Sequence, residues 1–327
     1  STTTKDLVVA RTNHQVAGRA ITFFTRNVLG GWTQQKVVKT NAAGEASFSG
    51  KDLALQQWKV TAAKTARTSA AAYEMPQAPA WKQTFVDDFS GTTLGPRWRQ
   101  RYPNQWLPGR TCSYSSPSRV AVGGGAVYLT TKRFSSSRPS SVRGKKASTA
   151  TFKKNCKDAS GKAYVYQSSG LDTATHDTHA FSLSTGVVAA RAKFSTLPGQ
   201  HASVWLPAPR AKGTEIDIIE SNGAYRNTKK TFRALVAGVY YGSKGKVQET
   251  VSQKAATWAK SYHVYSVEWT RTQYIFRIDG KVVVRTSKGA TTAPHHIALT
   301  NFVADWEIRQ NNGKPATATF DWVKAWQ

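Results

Sequence analysis

The residues best placed to do chemistry are three acids within six positions, in Glu215-Ile216-Asp217-Ile218-Ile219-Glu220. The whole chain has 18 acidic residues against 46 lysines and arginines, so this concentration is unusual for it. Carboxylates that face one another repel and lose hydration, and a strand that keeps them has a use for that repulsion. The acids alternate with isoleucines, which reads as a β-strand with one acidic and one apolar face. Residues two apart share a face, so Glu215 and Asp217 point the same way and Glu220 points oppositely. One extra residue, a β-bulge around Ile218-Ile219, returns Glu220 to the acidic face. The Glu215 and Glu220 Cα atoms then lie roughly 13 Å apart. Inward-leaning carboxylates can approach to roughly 5–6 Å, near the ~5–5.5 Å of glycosidases that retain configuration. In that chemistry one glutamate attacks the anomeric carbon and the other, kept protonated, gives its proton to the leaving oxygen. Asp217, between them, helps decide which glutamate is ionised. The plain alternative is a solvated strand face, because few acidic clusters are catalytic.

The elements around this strand read as mostly β, with dispersed glycines and no long amphipathic helical pattern. Residues 1–62 hold short strand-like runs: Leu7-Val8-Val9-Ala10, Ala20-Ile21-Thr22-Phe23-Phe24, Lys36-Val37-Val38-Lys39, Ala46-Ser47-Phe48 and Trp58-Lys59-Val60-Thr61. They predict a small immunoglobulin-like β-sandwich. Trp32 and Trp58 are read as filling its small core rather than as sugar platforms. Residues 63–80, rich in Ala, Thr and Ser with Pro76 and Pro79 near the end, read as a linker. Residues 81–327 form the main domain. Ser135 to Ser141 reads as an exposed loop, and Gln253 to Trp258 as one short helical turn.

From about Trp81 onward the chain resembles glycoside hydrolase family 16. Gly213-Thr214-Glu215-Ile216-Asp217-Ile218-Ile219-Glu220 looks like the bulged signature of that family's laminarinases and agarases. Flanking matches follow in order. They are Phe85-Val86-Asp87-Asp88-Phe89-Ser90 with Leu94 and Trp98, Tyr166-Gln167-Ser168-Ser169-Gly170, Gly186 to Phe194, and Ser203-Val204-Trp205-Leu206. Beyond the acids come Tyr262 to Trp269, Phe276-Arg277-Ile278-Asp279-Gly280 and Asp321 to Trp326. The resemblance implies a β-jelly roll with a concave cleft. It assigns Glu215 as nucleophile, Asp217 as its assistant and Glu220 as general acid/base, with retention and no catalytic cofactor. It also implies a structural Ca²⁺ on the convex side, with Asp321 as one contributor. Relatives often carry Glu at the position of Ala189, Trp at His201 and His at Tyr240, positions expected to line the cleft, so the substrate is less defined than the reaction.

Sugar rings pack their C–H faces on aromatic side chains. Trp205 is the first candidate, beside the acids. Trp106, Tyr102, Trp306 and Tyr240 (with its neighbour Tyr241) are further platforms. Arg191, His201 and Asn301 are polar substrate-binding candidates. Trp98, Trp269 and Trp322 read as core. The adjacent pair His295-His296 would point to opposite faces of a strand and makes a poor metal site.

The net charge of +28 favours polyanionic partners or an anionic envelope. Basic clusters occur at Arg143-Gly144-Lys145-Lys146, Lys153-Lys154 and Arg226 to Lys230, without a nucleic-acid-binding motif. Cys112 and Cys156 read as a disulfide in an oxidising compartment, with two free buried thiols as the alternative. No signal peptide or membrane-spanning run is present, and Ser1-Thr2-Thr3-Thr4 is compatible with a processed, secreted chain. The leading expectation is a secreted, monomeric, retaining endo-glycoside hydrolase acting on β-1,3-glucan. The alternatives are a hydrolase of an anionic or sulfated galactan, a non-catalytic polysaccharide-binding protein of the same fold, and a basic polyanion binder.

Overall fold

The computed structural model describes residues 6–12, 16–26, 31–50, 57–62, 72–73, 81–174, 181–207, 213–227, 230–243, 245–252 and 257–327. Among the described residues, the N-terminal region is built of strands and turns. Asp6–Arg11 pairs with Glu45–Gly50, and a separate sheet runs in the order Trp32–Lys39, Ala20–Arg26, Gln57–Ala62, Ala72–Tyr73. Strand Ala20–Arg26 alternates half-buried and buried side chains, as a strand covered on one face must. Its inward residues Ile21 and Phe23 meet Ala46 and Trp58 in a shared apolar cluster. Trp58 fills this small core, while Trp32 lies at its edge beneath Lys59 and Arg26. Most of the expected linker lies outside the described residues; within it, Ala72–Tyr73 adds to the edge of the sheet. Arg26 reaches the main domain, donating to Ser261 Oγ at 2.6 Å and lying 3.9 Å from Asp279.

The main domain consists of two curved antiparallel layers around one core. The inner layer runs Arg99–Gln100, Val165–Asp172, Ala298–Val303, Gln200–Leu206, Glu215–Asn227, Lys230–Tyr241, Gly245–Ser252. The outer layer runs Val120–Gly123, Ala126–Ser135, Ala316–Trp326, Gly186–Lys193, His263–Trp269, Tyr274–Ile278, Lys281–Thr286. Gln83–Asp87 pairs with the last part of Ala316–Trp326. The layers join where Lys132 to Ser135 pairs with Val165 to Gln167, so the sheet closes on itself.

Period-two alternation sends one set of side chains from each layer inward. Leu129, Val188, Val204, Ile216, Ile219, Val267, Phe276, Leu299 and Phe320 are all buried in one cluster. Trp98 and Trp269 belong to it as expected, whereas Trp322 is only partly buried and packs on the outer face of the outer layer with Val187, Ala189, Val264 and Trp326. A smaller cluster lies beneath the loops at one end. It holds Trp106, Tyr114, Phe152 and the disulfide Cys112–Cys156, whose Cα atoms are 5.3 Å apart. A short helix not expected from the sequence, Thr149–Asn155, carries Cys156 at its C-cap, and Ser148 caps its start by accepting from the Thr151 N–H. Among the described residues, Thr257–Lys260 forms a single 3-10 turn, overlapping the expected turn at its C-terminal end.

Candidate active site

The acidic strand Glu215–Asn227 lies between Gln200–Leu206 and Lys230–Tyr241. On one side Trp205 pairs with Asp217 and Val204 with Ile219; on the other Asp217 pairs with Gly238 and Glu220 with Val236. Between the flanking pairs the acidic strand therefore spends one residue more than either neighbour. That residue is Ile218. Its insertion rotates the next stretch by one face, so Ile219 returns to the core while Glu220 joins Glu215 and Asp217. All three acids line one groove of about 450 Å³. Opposite Asp217, Gly238 lets the strand beyond it approach closely, because a Cβ there would lie 2.0 Å from the Val247 carbonyl oxygen.

The carboxylates differ in setting. Asp217 is 1% exposed, and its Oδ2 meets no donor among the described residues. Burial, then the neighbouring Glu220 and Glu215, push its carboxyl well above the usual carboxylate range. Glu215 is half-buried at the groove surface. Its carboxyl is raised by burial and by Glu220, and partly held back by Arg101. Glu220 accepts from the His201 imidazole, with Nε2 and Oε1 2.8 Å apart. The site thus holds carboxyls that cannot all be ionised together, the condition that separates a nucleophile from an acid.

One groove wall is the segment Arg101 to Arg110. The Arg101 guanidinium lies 4.9 Å from both the Tyr102 and Trp205 rings and forms an ion pair with Asp172 at 2.8 Å. The Tyr102 backbone is left-handed (φ 54°), which turns this segment over the groove. Arg110 lies 4.2 Å from the Trp306 ring. Asp305 fixes the next residues by accepting from the Thr111 and Cys112 N–H groups at 2.6 and 3.2 Å. The disulfide therefore anchors the loop that carries Arg110.

Of the substrate-binding candidates, Trp205, Tyr102 and His201 line the groove with the acids. Trp205 Nε1 is buried and has no partner among the described residues. Tyr240 pairs with Glu215, is 38% exposed, and has its hydroxyl pushed up to about 12 by burial and then by Glu220, Asp217 and Glu215. Trp306 is 59% exposed, with its ring edge-on to His201.

Three candidates are placed elsewhere. Trp106 is buried in the cluster around the disulfide. Asn301 faces the core because it alternates with groove-lining Thr300 and Phe302, and its amide donates to the Leu129 and Ala316 carbonyls. Arg191 is on the outer layer, where it pairs with Asp321 and lies over Tyr262. Ala189, expected at the cleft, faces outward from the same strand. The difference arises because a run of alanines and valines does not by itself say which layer it joins. Asp321 has its charge taken up by Arg191, and among the described residues no cluster of three His, Cys, Asp or Glu could hold a metal.

Arg101, Arg110 and Glu307 were not singled out from the sequence. Arg101 and Arg110 sit among many basic residues, and Glu307 is an isolated acid far along the chain; no spacing signal marks them. His295, unassigned from the sequence, is buried with its Nε2 2.6 Å from the Thr214 carbonyl, and so steadies the residue before Glu215.

A family model described as Glycosyl hydrolases family 16 matches residues 120–324. No curated protein matches the chain. Among solved structures, the laminarinase catalytic domain of Thermotoga maritima MSB8 is 16% identical with a TM-score of 0.57, over 76% of this chain and 98% of that one. The laminarinase of Rhodothermus marinus is 17% identical with a TM-score of 0.57, over 76% and 97%. Porphyranase B of Zobellia galactanivorans is 18% identical with a TM-score of 0.57, over 76% and 92%. At these identities the likeness is one of fold.

Proposed function

This chain belongs to glycosyl hydrolase family 16 and is a glycoside hydrolase, and from that premise we propose that it cleaves β-1,3-linked glucan internally, with retention, in the groove lined by Glu215, Asp217 and Glu220. The observation that carries this reading is the one-residue insertion at Ile218, which brings all three acids to one groove. Glu215 attacks the anomeric carbon as a carboxylate while Glu220 protonates the leaving oxygen. The glycosyl ester on Glu215 is then hydrolysed by a water that Glu220 deprotonates. Burial and the two glutamates push the Asp217 carboxyl up, which favours its protonated form, and in that form it stabilises the Glu215 carboxylate without adding a second negative charge. The ring faces of Trp205 and Trp306 that Arg101 and Arg110 leave uncovered are platforms for sugar units. The disulfide supports a secreted protein.

Arg101 and Arg110 favour a second reading, an anionic or sulfated galactan. Two guanidiniums in the wall of a groove floored by acids can offset a charged substituent. Digestion of laminarin, lichenan, agarose and carrageenan, with products identified by mass spectrometry, separates the two. Laminarin oligosaccharides support the first reading and sulfated oligosaccharides the second. Absence of products from every glycan would overturn both.

A further inference from the structure

His201 joins two acids from distant parts of the chain. Its Nε2 is 2.8 Å from Glu220 Oε1, and its Nδ1 is 3.7 Å from Glu307 Oε1. Glu307 immediately precedes the 3-10 turn Ile308–Gln310 and is 1% exposed; His201 is 8% exposed. The groups around the imidazole and its two acids come from five elements. The acidic strand supplies Glu220, with Glu215 and Asp217 farther along the groove. The 304–310 turn supplies Glu307, Asp305 and the Trp306 ring, whose centroid is 5.6 Å from the imidazole. The groove wall supplies Arg110, whose charge is felt by Asp305, Glu220 and Glu307. Phe302, paired with His201 on the next strand, is apolar. The hydroxyl of Tyr240, across the acidic strand, remains neutral at ordinary pH. The imidazole thus has a hydrogen-bonded carboxylate at Nε2 and, 3.7 Å from Nδ1, a second carboxyl that burial pushes up while His201 and Arg110 draw it back down; with both acids facing it out of water, the ring is placed to keep a proton.

We propose that His201 and Glu220 hold the proton of the acid step as one unit, with Glu307 as the buried counter-charge, which makes His201 a positioning residue acting through Glu220. The inference rests on the reading of Glu220 as proton donor. As the glycosidic C–O bond breaks, its electron pair goes to the leaving oxygen, which takes the proton from Glu220. The pair is left as a Glu220 carboxylate and a neutral imidazole whose Nδ1–H faces Glu307. In the second step, water bonds to the anomeric carbon and gives one proton back to the pair through Glu220, and Glu215 departs as carboxylate. Protons and electrons balance with no further reactant.

The energetics agree with the geometry. Burial by itself would lower the imidazole, but Glu220 and then Glu307 outweigh it and hold His201 at about 9. The stored proton is therefore present below that pH and lost as pH rises through it.

Two measurements test the proposal. The first is an NMR titration of the imidazoles in the full chain, with the His201 signal identified by its absence from His201→Gln. The wild-type signal should titrate near 9 and fall by more than about one unit in Glu220→Gln and in Glu307→Gln. Titration at or below the ordinary ~6.5 in the wild type overturns the proposal. This arm needs no substrate, so it stands or falls separately from the hydrolase reading. The second is the pH profile of kcat/KM on the glycan cleaved. Gln at position 201 keeps a hydrogen bond to Glu220 but stores no proton. Its alkaline limb should move to lower pH by about one unit or more relative to its own maximum. Glu307→Gln should move the same limb in the same direction and serves if His201→Gln does not fold. A uniform loss with unmoved limbs is what a purely structural histidine gives, and it overturns the proposal.

Discussion

His201 meets Glu220 along a diagonal: its strand partner is Asn222, yet its Nε2 lies 2.8 Å from Glu220 Oε1. Residues two apart on a strand share a face, so the diagonal contact exists because Glu220 and Asn222 both follow the extra residue Ile218. Directly opposite Glu220 stands the small Ser203, which leaves the imidazole room to reach across. The same bulge that gathers the acids therefore gives one of them a basic partner.

Glu215→Gln and Glu220→Gln should each lower kcat/KM by at least about 10²-fold while the protein stays folded. NMR of the first product formed by the wild type should show the anomeric configuration of the substrate. An inverted product, or full activity in either variant, rules out the assigned roles.

Asp217→Asn should abolish most activity yet raise Tm at neutral and alkaline pH. The Asp217 carboxyl is raised in the folded state, so ionising it opposes folding. That opposition is absent below the unfolded value of about 3.9 and grows as pH rises above it. The gain should be about 2–4 °C for each kcal/mol relieved, and should vanish toward low pH. A lower Tm at pH 8 would show that Asp217 is paired rather than strained.

Gly238→Ala should destabilise the acidic strand. The added Cβ meets the Val247 carbonyl oxygen at 2.0 Å, a backbone atom that cannot swing aside. A loss above about 2 kcal/mol in urea unfolding is expected, together with reduced activity, because the glycine stands opposite Asp217. Unchanged stability would mean that the neighbouring strand moves freely.

Replacing both Cys112 and Cys156 by serine should cost about 4 kcal/mol in the chain-entropy estimate for their separation of 44 residues. Thermal unfolding should fall by about 10 °C. Activity should fall too, since Cys112 lies in the loop that Asp305 ties down beside Arg110 and Trp306. Stability lost with kcat/KM intact would separate the disulfide from the groove.

Trp306→Ala should raise KM with little change in kcat, because a ring that is 59% exposed can bind sugar but lies beside the acids' partner His201 rather than among the acids. A fall in kcat alone would place it in the acid step.

The acids, their shared face and the need for one extra residue were legible in the sequence, because strand periodicity is local: three carboxylates and three isoleucines fix which side chains face together. The β-class was legible through composition, and the disulfide through there being two cysteines in the chain. The tertiary structure alone decided what stands around the acids. Asn301 and Arg191 carry suitable side chains on strands, but alternation sends one into the core and layer assignment sends the other to the outer face. Arg101, Arg110 and Glu307 reach the site from segments about 100 residues away in the chain. Their placement depends on how the layers close and on which loop is pinned to which turn. Those are non-local contacts, and no spacing along the chain encodes them.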